Sequence, residues 1–324
     1  MVTAGRTLAQ VSEASLLAEI FPFFPAREGV LVGPGDDAAV LVSGGSVVVT
    51  TDAMVRGRDW LDEWSTAADV ATKVFTQNVA DVAAMGATPT SLVVTLVADP
   101  ATPADWAVEF ARTLGDLATD AGVAVAGGDL SSAPSGTVMV SITALGDLRG
   151  RAAVLRSGAR PGDTVAVHGT LGRSAAGLLL LQQEAGARGE TDGARGACVA
   201  HHLRPVVDVV AGAAAADGGA TAMLDVSDGL LRDGSRIAAA SGVRLALDSA
   251  LLEPDLVVLR EAVGDAALES VLAGGEEHSL LATFVGTLGT LPPGWRPLGR
   301  VEEGEGVTLD GVAQQPRGWD HFAG

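Results

Sequence analysis

Six aspartates stand where the apolar runs of this sequence break: Asp36 and Asp37 ahead of a strand-like stretch, Asp52 after VVVTT, Asp129 after VAVAGG, and Asp225 and Asp228 after TAML. Carboxylates gathered from strand ends into one cleft make a hard, oxygen-rich environment. Mg²⁺ takes such an environment while it also holds substrate phosphates. The chemistry indicated is phosphoryl transfer. Each aspartate taken singly fits a turn or a helix N-cap as well, so the reading rests on their conjunction. Asp81 is sharper, because Val70, Val74, Asn78, Asp81 and Met85 recur at helical spacing and put an amide and a carboxylate on an apolar stripe. If that stripe faces inward, the carboxylate needs a metal ion or a dense set of hydrogen bonds; at the stripe's edge it sits in water. Glycine-rich turns flank these positions: GPGDD at Gly33 and Gly35, GGD at Gly127 and Gly128, HGTLG at Gly169 and Gly172, and AGGEE at Gly274 and Gly275. Such turns let a backbone approach closely and present N–H groups to a phosphate, as does the helix start expected at Gly169 to Ser174. With 42 glycines in the chain, they also serve as plain connectors.

The elements that must position these residues read as a mixed α/β (α+β) order. Strands are expected at 38–42 and 47–51, joined as a hairpin by a Ser-Gly-Gly turn, and then at 91–97, 123–126 and 137–145, with helices over 67–85 and 104–121. A polar turn at Arg149 to Arg151 separates two domains, 1–148 and 149–324. The second has strands at 164–167, 222–226, 243–247 and 279–284 and helices over 174–184, 230–240 and 266–272. The Gly-, Ala- and Arg-rich segment Ala185 to Ala197 reads as a loop.

Composition narrows the function classes. A chain of 324 residues, 48% hydrophobic, has material for a core in about two domains. A formal charge of −19 repels a nucleic-acid backbone. No run approaches the roughly 18 apolar residues of a membrane span, and the first residues lack the basic flank and apolar run of a signal peptide. The single cysteine, Cys198, forms no internal disulfide, which fits the cytoplasm. Lys73 is the only lysine, so a Walker loop ending in Gly-Lys-Ser/Thr is absent and any ATP is bound another way.

Eight motifs in order, GDDAAVL, TTDAMVRG, NVADVAAMGATP, AGGD, LRSGARPGD, LDVSDGL, GGEE and GWDHF, carry a resemblance to the thiamine-monophosphate kinase family, over nearly the whole chain from Gly33 to Phe322. Several recur in the wider aminoimidazole ribonucleotide synthetase-like superfamily. The resemblance implies a two-domain fold whose N-terminal α/β domain binds ATP and Mg²⁺ and builds a sheet or barrel across a homodimer. It implies transfer from ATP to thiamine monophosphate, giving thiamine diphosphate, the last step in making that cofactor. It further implies that Asp36, Thr50, Thr51, Asp52, Asp81, Asp129, Asp225 and Asp228 hold Mg²⁺, that Gly128, Asp129, Arg156 and Ser227 contact ATP, and that Glu276 and Trp319 meet thiamine monophosphate. Asp52, Asp129 and Arg156 would then be catalytic. Direct in-line transfer needs no general base, because a phosphate oxygen is already ionised near neutral pH.

Two departures from the family stand out. Asp59 replaces a histidine that often touches substrate, and GGEEHSL replaces GGEDYEL, which opens Glu277 and His278 to a role in substrate preference. An aminoimidazole ribonucleotide synthetase-like activity and a noncatalytic nucleotide-binding dimer are the alternatives. A selenophosphate synthetase needs a reactive residue near its N-terminus and the hydrogenase maturation factor a C-terminal cysteine, which this chain, ending His-Phe-Ala-Gly, does not present. His201, His202 and His321 read as surface or packing residues.

Overall fold

The structure is a computed structural model. It describes residues 6–33, 39–183, 192–286 and 291–319. Asp36, Asp37, Gly35, residue 184 of an expected helix, residues 185–191 of the expected loop and His321 lie outside the described residues. The chain forms two compact units, Met1–Val82 with Pro89–Gly150, and Ala83–Thr88 with Arg151–Gly324.

The first unit runs α1 (Glu13–Ile20), β1 (Val30–Val32), β2 (Val40–Leu41), β3 (Val47–Val55), α2 (Ala67–Ala84, whose last turn belongs to the second unit), β4 (Thr88–Ala98), α3 (Ala104–Asp120), β5 (Ala124–Ser132) and β6 (Val138–Asp147). Pro103 opens α3, and Ala104, Ala107, Phe110, Ala111, Leu114 and Ala118 bury one stripe of it at three- and four-residue steps. The four-stranded sheet has the order β3-β6-β4-β5, with β3 antiparallel to β6 and β4 parallel to β5. The expected hairpin between 38–42 and 47–51 does not form. β2 pairs instead with β1, and β3 pairs with β6 from Val47↔Asp147 to Val55↔Met139. A local turn signal fixes no partner when a longer strand elsewhere offers nine paired residues. β6 alternates buried and half-buried along its length, the pattern of a sheet covered on one face. In β3 the uncovered set is Val47, Val49, Thr51, Ala53 and Val55.

The second unit continues with β7 (Thr164–His168), α4 (Arg173–Gln183), α5 (Gly193–Leu203), α6 (Ala211–Asp217), β8 (Ala220–Asp225), α7 (Leu230–Ser241), β9 (Arg244–Leu247), α8 (Glu253–Val263), α9 (Ala267–Ala273), β10 (Leu280–Phe284), β11 (Trp295–Glu302), β12 (Gly306–Leu309) and β13 (Val312–Gln314). Its seven strands lie in the order β13-β12-β9-β11-β7-β10-β8, so β8 is an edge. Residues 193–197, read as loop from their Gly and Arg content, begin helix α5. Gly196, Cys198, Val199, His202 and Leu203 bury one face of it, and tertiary packing overrides weak propensity there. The core of this unit includes Ala166, Met223, Leu280, Ala282, Phe284 and Trp295. No helix among the described residues is long and apolar enough to cross a membrane.

Candidate active site

In the first unit, β3 and α2 bring three of the candidate groups together, Thr50, Asp52 and Asp81. Thr50 and Asp52 alternate with the exposed residues of β3 and therefore face α2. Thr50 Oγ1 donates to Asp81 Oδ2 at 2.8 Å, and the Asp52 N–H donates to Asn78 Oδ1 at 3.1 Å. Asn78 is fully buried and holds itself in the helix by donating to the Val74 carbonyl at 2.8 Å. The stripe that the spacing put on α2 does face inward, and it orients Asp81 beside β3. Thr51 departs from the expected set. Its hydroxyl points to the opposite face of the sheet, donating to the Ile142 carbonyl at 2.9 Å and lying 3.2 Å from Thr143 Oγ1.

Asp52 and Asp129 are not at strand tips. Asp52 lies within β3 and Asp129 within β5, opposite Thr95, where its Oδ2 accepts the Ser131 hydroxyl at 2.8 Å. Gly128 precedes it where a Cβ would stand 2.2 Å from the Val94 carbonyl oxygen, so only glycine lets β5 close on β4 at this point. Asp59 caps a turn: its Oδ2 accepts the Val55 N–H at 2.7 Å, and its own N–H donates to the Val55 carbonyl.

In the second unit, backbone hydrogen bonds continue the β8–β10 pairing past its end. The Glu276 N–H donates to the Ser227 carbonyl at 2.8 Å, the His278 N–H to Val226 at 2.9 Å, and the Trp319 N–H to Asp228 at 3.0 Å. A Cβ on Gly318 would sit 2.1 Å from that Asp228 oxygen, so glycine is needed to bring the exposed Trp319 here. Ser227, Asp228, Glu276 and Trp319 are thereby collected from three distant stretches of chain. Glu276 and His278 hold φ of 56° and 55°, a left-handed conformation uncommon for such residues and one that concentrates at functional sites. Arg156 lies elsewhere on this edge. The neighbouring Leu155 carbonyl accepts the Met223 N–H, and Arg156 is exposed beside a cavity of about 390 Å³ lined in part by Leu155, Ser157 and Thr221.

The side chains of Glu277 and His278 are buried and engaged within the protein. Glu277 is fully buried under the N-terminus of α4, where its Oε2 accepts the Ser174 N–H at 3.0 Å and its Oε1 the Thr170 hydroxyl at 2.5 Å. His201 Nε2 lies 3.2 Å from Glu277 Oε1, near enough for charge pairing but off the line of a hydrogen bond. Burial pushes the Glu277 carboxyl up, but the His201, Thr170 and Ser174 contacts outweigh it and hold it below the ordinary range. The anion place expected at this helix start is thus filled by the chain's own carboxylate. His278 is buried, with Nδ1 3.1 Å from Asp225 Oδ2. His202 is also a buried polar partner, 3.0 Å from Ser174 Oγ and 3.6 Å from Glu276 Oε2.

Among the described residues, no three of His, Cys, Asp and Glu cluster to hold a metal ion. Asp52, Asp81 and Asp129 belong to one unit, and Asp225 and Asp228 to the other. The donors in the first unit fit a hard divalent cation, being carboxylates joined by a threonine hydroxyl. Asp228 does not fit one, because Arg236 donates to its Oδ2 and Arg232 Nε stands 3.8 Å away.

Two family models match the chain: AIR synthase related protein, N-terminal domain, over residues 35–148, and AIR synthase related protein, C-terminal domain, over residues 160–309. The thiamine-monophosphate kinase of Mycobacterium tuberculosis (strain H37Rv) is 43% identical over 329 positions, covering 100% of this chain and 94% of that protein. The chain belongs to the thiamine-monophosphate kinase family. Among solved structures, the thiamine-monophosphate kinase of Stenotrophomonas maltophilia K279a aligns at a TM-score of 0.82 and 33% identity, over 94% of this chain and 98% of that one. AaThiL, complexed with AMPPCP and TMP, aligns at 0.77 and 32% identity over 85% and 87%. This family's two-domain, AIR synthase-like α/β fold is the one described above. Sequence reasoning missed Asn78 as the group that holds the Asp52 backbone, although its place on the stripe was a signal. It missed Asp233 and Arg236 beneath Asp228 altogether, because no periodicity marks them.

Proposed function

We propose that this protein transfers the γ-phosphoryl group of ATP to thiamine monophosphate, giving thiamine diphosphate and ADP. The observation that carries this reading is the pair of backbone bonds from Glu276 and Trp319 to the Ser227–Asp228 turn. These bonds tie the backbones of Glu276 and Trp319, a carboxylate and an aromatic ring suited to a cationic thiazolium, to the turn that carries Ser227, which in this reading contacts the nucleotide. The complex of AaThiL with AMPPCP and TMP, an ATP analogue and the acceptor, supports it.

In this reading Thr50, Asp52, Asp81 and Asp129 of the first unit, with Asp36 and the Asp225 carboxylate, hold Mg²⁺. Two or three carboxylates suffice, since Mg²⁺ keeps waters and takes substrate phosphates as its other ligands. A Mg²⁺ ion held by these residues would supply the positive charge that offsets the two phosphate anions. Gly128, Asp129 and Ser227 contact ATP, and Arg156 offers a planar fork to its phosphates. Glu276 and Trp319 hold the acceptor, while Asp59, tied into its turn, contributes the shape of that turn rather than a histidine contact. Asp52, Asp129 and Arg156 are the catalytic residues, and transfer is direct and in line, without a phosphoenzyme. The protein acts in the cytoplasm as a homodimer. β3 is an edge of its sheet, where a second copy extends the N-terminal sheet into a cross-dimer sheet or barrel, and that copy covers the exposed face of β3, with Val47 at 42%, Val49 at 60% and Val55 at 38% exposure.

Incubation of purified protein with Mg²⁺, ATP and thiamine monophosphate, followed by chromatography, should give ADP and thiamine diphosphate in equal amounts, and none with EDTA. Asp52→Asn and Asp129→Asn should each lower kcat on the order of a hundredfold or more with little change in thermal melt. ATP binding without product, or near wild-type rates in both variants, refutes the assignment.

A further inference from the structure

Arg236 on α7 is clamped between two carboxylates. Its Nη1 donates to Asp233 Oδ1 and its Nη2 to Asp228 Oδ2, while Arg232 Nε lies 3.8 Å from the same Asp228 oxygen. Asp233 has no exposed side-chain surface. Its Oδ2 accepts the N–H groups of Asp228 at 2.9 Å and Gly229 at 3.0 Å, so its second oxygen is aimed at Arg236 and cannot turn elsewhere. Moving the guanidinium aside to admit another cation at Asp228 would leave a buried carboxylate without its countercharge, which is strongly unfavourable. A divalent ion and a guanidinium on one carboxylate, two to three ångströms from its oxygens, would also repel each other directly.

We propose that in this chain the Arg236 guanidinium takes the place of a divalent cation at Asp228. Asp228 is then a positioning residue. Its side chain anchors Arg236, its N–H is fixed by Asp233, and its carbonyl receives the Trp319 N–H, so the turn that presents Ser227 and Trp319 is set by a protein cation and not by a metal ion. Divalent ions are left to the carboxylates of the first unit, Asp225 and the phosphates of ATP. The inference rests on the reading of the protein as a metal-nucleotide enzyme, and it departs from the metal role that the family resemblance gives Asp228.

The test is a count of bound Mn²⁺ by electron paramagnetic resonance on the full chain saturated with AMPPCP. Asp228→Asn should bind as many ions per chain as the unsubstituted protein. Arg236→Ala, which frees Asp228 and Asp233 as oxygen donors, should bind one more, and Arg236→Lys should not. Loss of one ion in Asp228→Asn, or an unchanged count in Arg236→Ala, overturns the proposal. If Arg236→Ala fails to fold, Asp228→Asn decides alone. A chain that binds no Mn²⁺ with AMPPCP fails the kinase reading, while a gain in Arg236→Ala still reports on Arg236.

Discussion

Asp233 is a carboxylate displaced well above its usual range. Burial pushes its carboxyl from 3.8 to about 6, helped by the charges of Asp225 and Asp228 and opposed by the Asp228 N–H and by Arg236. Because the folded value lies above the unfolded one, the folded state keeps a proton between about pH 4 and pH 6 that the unfolded chain has released. Its stabilising contribution is therefore complete below about pH 4 and is lost as pH rises through about 6. The difference corresponds to roughly 3 kcal/mol. Asp233→Asn removes this titration, so its stability deficit against the unsubstituted protein, from urea unfolding, should shrink by about that amount between pH 4 and 7. A deficit independent of pH would contradict the burial argument. Nothing in LDVSDGLLRD announced this residue, because a carboxylate that reaches back to two backbone N–H groups has no periodic signature. Asn78 and Asp81 were legible by contrast, since an amide and an acid interrupt an apolar stripe of fixed period.

At the scale of elements, the short apolar runs told where β2 to β10 are but left β1 and β11 to β13 uncalled, and they did not tell which partner each strand takes. The GGD motif illustrates the limit. Its two glycines look alike in sequence, yet a Cβ on Gly127 meets nothing within 4 Å, whereas one on Gly128 would lie 2.2 Å from the Val94 carbonyl oxygen. Gly127→Ala should change stability by less than about 0.5 kcal/mol. Gly128→Ala should cost about 1–3 kcal/mol by forcing β5 from β4, and should displace Asp129 with it. Urea midpoints of the two variants check this, and equal midpoints would mean that the β4–β5 approach is not close. The same reasoning explains the lost hairpin: pairing between β3 and β6 joins residues about ninety positions apart, a distance at which no local pattern can report. The Ser227–Glu276–Trp319 assembly was beyond periodicity for the same reason; the family resemblance named these residues without giving the backbone bonds that join them.

For the whole molecule, the unusual feature is a strand apolar on both faces. In VVV at Val47 to Val49, Val48 is half-buried on the covered side while Val47 and Val49 are exposed on the other, continued by Val55. A strand with water on one side alternates apolar and polar residues; continuous apolar residues belong to strands buried on both sides. The sequence thus carries a sign of a second covering layer that the described residues do not supply, and a second copy is the occupant proposed above. Light scattering should give twice the 32.5 kDa chain mass for the unsubstituted protein. Val49→Asp, which places a charge on that face, should give the single-chain mass, because an unpaired carboxylate would have to be desolvated on association. Val257→Asp on α8, at a position 58% exposed in the other unit, should leave the dimer intact. A single-chain mass for the unsubstituted protein, or dissociation by both substitutions alike, would remove the role assigned to the uncovered face of β3.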